Sequence, residues 1–142
     1  MPANKSFIDT NVLIYLLSAD SAKADRAEEI ILNGGIISVQ VLNELTNVAL
    51  RKLGMPWPEI NDLLSLIRCV CPVEPLTVET HDRGIHVAEC YKLSVYDSMI
   101  VAAALMAGCN TLYSEDMHDG LLIDDKVHVC NPFGSGFSQP HQ

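Results

Sequence analysis

The strongest constraint on this chain is an alternation. Short apolar runs of strand length are followed by longer stretches with helical periodicity, and the pattern repeats through most of the 142 residues. Residues 5–8 read as a buried strand that ends at Asp9-Thr10-Asn11, and residues 12–17 read as a helical run. Asp20 or Ser21 then caps a helix to about Asn33, which Gly34 and Gly35 stop. The "GIIS" segment is a minimal second strand, and a strong helix over 39–53 is closed by Gly54. Pro58 opens a further helix, with Ile60, Leu63, Leu64 and Ile67 at helical spacing. A third strand is expected within 70–76. Thr77 caps a helix to about Leu93, and Ser94 starts another that reaches Ala107. "NTLYS" reads as a fourth strand, "EDMHDGLLIDD" as a loop, and "KVHVCNPF" as a last strand. No Asn-Gly hairpin joins two strands, so the pattern predicts an α/β layered domain around a short parallel sheet.

A chain of this length is most simply one domain, burying roughly 68–70% of its unfolded surface. The expected boundaries are 1–133 for that domain and 134–142 for a flexible Gly/Ser/Pro-rich tail. The longest apolar run, residues 99–107, is too short to span a membrane, and no secretory signal opens the chain. Five scattered cysteines suit reduced thiols and a cytoplasmic location. The net charge of −9 disfavours passive nucleic-acid binding, but it does not exclude an enzyme that meets phosphates through a cation.

Four carboxylates stand out by position. Asp9 ends the first strand, where open α/β sheets bind ligands, although Asp, Thr and Asn are equally good helix caps. Glu44 borders the apolar stripe of Val41, Leu45 and Val48, with Asn43 and Asn47 on its polar side. Asp97 lies three residues after Ser94, the spacing of a capping box. Asp116 follows the fourth strand in a crowd with Glu115 and Asp119. Each alone reads as a cap or a solvated residue. Together they occupy strand ends and helix starts, which share one edge of a parallel sheet. Two like charges about 4 Å apart repel by roughly 4 kcal/mol at an effective dielectric near 20, so such a cluster needs protons, basic partners or a cation. No Lys or Arg is expected beside these positions. An oxygen-rich site without Cys or His suits Mg²⁺ or Mn²⁺.

"FIDTNVLIY", "ISVQVLNEL", "YDSMIVAAAL" and "LYSED", in this order and spacing, resemble the PIN-domain family, and within it the VapC-like toxins of toxin–antitoxin pairs. The resemblance runs from about Phe7 to Phe133. It implies a three-layer α/β/α domain with a five-stranded parallel sheet and a metal-dependent endoribonuclease activity. It maps the catalytic, metal-binding carboxylates onto Asp9, Glu44, Asp97 and Asp116. Thr10, Asn11 and Ser114 would orient ligands or water, and Asp119 would share or supply the fourth acidic position. Mg²⁺ is the implied cofactor, with Mn²⁺ as a substitute. RNA, a VapB-like antitoxin and a second copy of the chain are the implied partners.

Two other readings compete. One is a catalytically inactive module of the same fold that acts by protein–protein binding. The other is a phosphatase using Asp9 as nucleophile, but that chemistry wants an aspartate two residues on, where Asn11 stands. Arg51, Lys52, Arg83 and Lys92 are the scattered candidates for RNA contact. Cys69 and Cys71 lack a second pair to close a zinc site, and His86 and Cys90 lack further ligands. His118, beside the acidic loop, is a candidate for proton transfer.

Overall fold

The computed structural model describes residues 5–134. The expected tail therefore lies outside the described residues from position 135 onward. Elements follow in the order β1 (Ser6–Ile8), α1 (Thr10–Ile14), a 3-10 turn (Tyr15–Leu17), α2 (Ser21–Leu32), β2 (Ile37–Ser38) and α3 (Val39–Arg51). Then come α4 (Trp57–Val70), β3 (Val73–Glu74), α5 (Val78–Tyr91), α6 (Val95–Met106), β4 (Thr111–Tyr113), β5 (Leu122–Ile123) and β6 (Val127–Cys130).

The helices start where the sequence supplies side-chain caps. Asp20, Ser38, Thr77 and Ser94 accept from backbone amides in the first turns of α2, α3, α5 and α6. Pro58 sits in the first turn of α4, where its missing N–H costs nothing. Helix α1 begins two residues earlier than its apolar pattern suggests, because Asp9 caps it by accepting from Thr10 N. Helix α3 buries Val41, Leu45 and Ala49 along one stripe. Helix α6 differs, with every residue from Ser98 to Leu105 buried, as befits a helix enclosed on all sides. Helix α5 packs along it at Gly84, where an added Cβ would stand 2.7 Å from the Met99 methyl.

Strands β1, β4, β6 and β5 form one hydrogen-bonded sheet in that order, and β2 pairs with β3. A parallel bridge between Phe7 and Ile36 joins the two parts, with Ile8 N donating to Ile36 O at 2.9 Å and Ile36 N to Ser6 O at 2.8 Å. Across the whole layer the order is therefore β3-β2-β1-β4-β6-β5. Helices and sheet make the expected three-layer α/β/α architecture, over a core that includes Phe7, Ile8, Leu45, Ile100, Leu112 and Val129.

The sheet departs from the sequence reading at one edge. Strand β5, placed within the expected acidic loop, runs antiparallel to β6. Asp124 and Asp125 make the connection with φ of 53° and 55°, and Lys126 N donates back to Ile123 O at 2.9 Å. Two consecutive left-handed residues are what a tight hairpin turn needs, and here two aspartates do what Asn-Gly more often does. A strand of two residues carries no alternation to read.

The remaining pairings are parallel, and their register positions the site. Ile8 lies opposite Tyr113, so the next residues, Asp9 and Ser114, leave β1 and β4 side by side. Asp9 N donates to Tyr113 O at 2.9 Å and fixes that exit. Among the described residues no helix is long and apolar enough to cross a membrane.

Candidate active site

The chain runs β1 to β2 to β3 toward one side and then places β4 on the other side of β1. Such a reversal opens a crevice at the carboxyl ends of the two central strands. A cavity of about 290 Å³ lies there, lined by Asp9, Thr10, Asn11, Ile14, Glu44, Asn47, Val48, Lys52, Asp97 and Asp116. That is about the liquid volume of ten waters, room for a hydrated cation and a phosphate group.

Asp9 is only 3% exposed. Its Oδ1 accepts from Thr10 N at 2.7 Å, and its Oδ2 accepts from Ser114 Oγ at 2.7 Å and Asn11 Nδ2 at 3.0 Å. Burial nonetheless pushes its carboxyl up to about 7; the Ser114 and Thr10 bonds oppose this rise, and the charges of Asp97 and Glu44 add to it. Asp9 is therefore both cap and cavity wall. A five-residue helix could take its cap from any short polar residue, but this carboxylate is buried, and the charges of Asp97 and Glu44 add to the effect of that burial.

Glu44 is held on both oxygens. Thr10 Oγ1 donates to Oε1 at 2.8 Å, and Gln40 Nε2, one turn earlier on α3, donates to Oε2 at 2.9 Å. Thr10 thus ties α1 to α3 and spaces Asp9 from Glu44. Asp97 sits in the first turn of α6, where Ser94 Oγ accepts from its amide at 3.1 Å. Only that half of the capping box forms among the described residues, and the Asp97 carboxylate lines the cavity instead. Its pKa is raised, by burial first and then by Glu44 and Asp116, against the Ser94 bond.

Asp116 lies in the loop after β4. Asn11 Oδ1 accepts from Glu115 N at 3.0 Å, and Ser114 Oγ accepts from Met117 N at 3.3 Å, so both residues flanking Asp116 are pinned to the site. Glu115 turns away from the cavity, accepting from Tyr15 Oη at 2.6 Å and pairing with Lys23 at 3.3 Å. Lys23 in turn lies over the Tyr15 ring, 4.6 Å from its centre.

The structure thus brings Asp9, Glu44, Asp97 and Asp116 to one cavity, with Thr10 and Asn11 in its wall and Ser114 behind Asp9. Asp119 is not among the lining residues. Its Oδ1 accepts from Asn131 N at 2.9 Å and fastens the chain after β6, so the shared acidic role expected for it is not seen. His118 is exposed and outside the lining. Asn47 lines the cavity and Asn43 does not. Sequence reading missed Gln40, although its spacing of four before Glu44 was a usable signal. It also expected no basic residue beside the acids, yet Lys52 lines the cavity.

All the acidic donors are oxygen, the chemistry of hard cations. Asp9 Oδ1 and both Glu44 oxygens each accept one bond from the chain, leaving a lone pair apiece. The residues present therefore fit a divalent cation. Among the described residues no three such side chains already form a closed cation-binding cluster; the carboxylates border the cavity with space between them.

An α/β/α sandwich with an acidic cavity at its strand switch defines a class of carboxylate-lined domains. The model of the PIN domain matches residues 6–118, and the chain belongs to that family. No curated protein matches it by sequence. Among solved structures, a toxin–antitoxin complex from Klebsiella pneumoniae is similar, with a TM-score of 0.68 and 20% identity over 90% of this chain and 98% of that one. VapC20 of Mycobacterium tuberculosis, described as a sarcin–ricin-loop-cleaving toxin, gives 0.65 and 19% over 79% and 90%. FitAB bound to a DNA fragment gives 0.65 and 20% over 96% and 99%. At these identities the likeness establishes the shared fold.

Proposed function

We propose that this protein is a metal-dependent endoribonuclease that hydrolyses RNA phosphodiester bonds, and that it is the toxin of a toxin–antitoxin pair. The observation that carries the reading is the meeting of Asp9, Glu44, Asp97 and Asp116 around one cavity, with the Asp9 carboxyl raised to about 7 by burial and like charge. Strongly perturbed acids in a cleft mark functional sites more often than structural ones. Membership of the PIN family and the toxins among the similar folds support the same direction.

In this reading Asp9, Glu44, Asp97 and Asp116 hold Mg²⁺, or Mn²⁺ in its place, directly or through water. The bound cation supplies Lewis acidity, lowering the pKa of an attacking water and neutralising charge on the phosphate. Thr10 and Gln40 fix the Glu44 carboxylate, and Ser114 and Asn11 fix that of Asp9. Water is the nucleophile, so no covalent enzyme intermediate forms. A protein antitoxin of the VapB kind would restrain the activity, and exposed Leu32 and Leu66 beside one apolar groove offer surface to such a partner. A homodimer working in the cytoplasm completes the reading.

The test is to incubate purified, antitoxin-free protein with total RNA and Mg²⁺ and map the cut ends. Asp9→Asn and Asp97→Asn should each lose cleavage while circular dichroism stays native. Full activity in either variant would refute the site. Absence of wild-type cleavage, together with no thermal shift on adding Mg²⁺ or Mn²⁺, would favour the inactive module.

A further inference from the structure

Helix α3 contributes more than Glu44 to the cavity. Glu44, Asn47, Val48 and Lys52 all line it, so one side of the helix runs from a carboxylate, past an amide, to a cation. Glu44 and Lys52 are about 12 Å apart along the helix axis. Among the described residues Lys52 makes no hydrogen bond or ion pair through its ammonium group. The same is not true of the nearby Arg51, whose Nε donates to Asn47 Oδ1 at 2.9 Å. That bond uses the Asn47 oxygen and leaves the amide NH₂ as the free group. The far wall therefore offers two kinds of donor, an amide NH₂ and an ammonium, while its one acceptor tip, Asn47 Oδ1, already takes a bond from Arg51.

Other cations of the chain are committed elsewhere or stand apart. Lys5 donates to Ala107 O, Lys23 pairs with Glu115, and Arg26 pairs with Glu29. Arg83 and Lys92, offered by the sequence for RNA contact, do not line the cavity. In a protein of net charge −9, the remaining charged residues of the cavity wall are all acidic, so Lys52 is the one cation lining it that a strand of RNA would meet.

We infer that Lys52 and Asn47 form a phosphate subsite, which takes the backbone phosphate next to the one being cleaved and so sets which bond of a single-stranded RNA lies over the carboxylates. This rests on the nuclease reading above. Lys52 supplies charge and Asn47 a directed hydrogen bond. Neither reads the base, so the subsite sets register and leaves sequence preference to other contacts.

The experiment separates this claim from that reading. Binding of a short fluorescein-labelled oligoribonucleotide of mixed sequence is followed by anisotropy across a salt series, in an Asp9→Asn background so that nothing is cut. Lys52→Ala should lower the slope of log K against log salt by about 0.7, one phosphate contact on a single strand. Lys52→Arg should retain the slope, and Lys126→Ala, in the β5–β6 turn, should leave it unchanged. In the cleaving protein Lys52→Ala and Asn47→Ala should raise KM on the same RNA several-fold more than they lower kcat. If wild-type protein binds and cuts RNA but Lys52→Ala keeps the wild-type slope, the subsite is refuted and the nuclease reading stands. That result with tighter Mn²⁺ binding would make Lys52 only a counter-ion of the acids. If no RNA is bound or cut, the nuclease reading itself fails and takes the subsite with it.

Discussion

Replacing Asp9 by Asn should change how stability depends on pH, and the size of the change follows from burial. In the metal-free protein the Asp9 carboxyl rises from its ordinary 3.8 to about 7. Between those values the folded state holds a proton that the unfolded state has released. Unfolding then becomes easier as pH rises, by about 1.4 kcal/mol per pH unit. Across the interval the wild type loses about 4 kcal/mol that Asp9→Asn does not lose. The raised pKa of Asp97 acts with the same sign in both proteins. Asn at position 9 also points an NH₂ group at neighbours that are donors, Thr10 N or Asn11 Nδ2, at a cost of about 1–3 kcal/mol. That cost is nearly independent of pH, so it displaces one curve without changing the difference in slope. Urea unfolding in EDTA, at steps from pH 4 to pH 8, measures both curves. The variant should gain about 4 kcal/mol on the wild type over that range, and saturating Mn²⁺ should remove most of the gain by stabilising ionised Asp9. Parallel curves would show that Asp9 is ionised throughout, and the account of its environment would be wrong.

Three further substitutions probe other parts of the structure. Ser114→Ala removes a donor to Asp9 from a fully buried position; it should cost about 1–3 kcal/mol and move the Asp9 transition to higher pH, as read in the same urea series. Gly35→Ala would place a Cβ 2.1 Å from Ile8 Cδ1, next to the bridge that joins the two parts of the sheet. Overpacking there should cost about 1–3 kcal/mol, measured by urea midpoint, and an unchanged midpoint would mean that β1 yields freely. Asp125→Gly relieves a left-handed residue in the β5–β6 turn and should raise stability by about 0.5–1 kcal/mol, seen as a higher melting temperature.

What the sequence made legible was placement along the chain. Strand ends and helix starts can be read from caps and apolar runs, and in a parallel sheet those points share an edge. This is why Asp9, Glu44, Asp97 and Asp116 can be assigned to one edge from the sequence alone. The choice of partner across the fold was not legible. Asp116 and Asp119 are nearly equivalent in sequence, and only the position of Asn131 after β6 decides that Asp119 faces elsewhere. Thr10 could have been a plain helix residue; its hydroxyl bond to Glu44 exists because α1 and α3 pack together. Lys52 is separated from the nearest acid by two turns of helix, beyond the range in which residues look adjacent in sequence. Strand β5 failed for a different reason, since two residues and an Asp-Asp turn leave no periodic signal.

The bond from Ser114 to Asp9 joins residues 105 positions apart, and it crosses the pair β1–β4 on which the cavity depends. During synthesis, β1 leaves the ribosome long before β4 exists to receive it. The first three carboxylates can emerge and still have no common wall. A site assembled this way is incomplete while most of the chain is still being made, and it comes together only as the last strands close the sheet. Any chemistry of the four carboxylates is thereby deferred, by topology alone, until synthesis is nearly over.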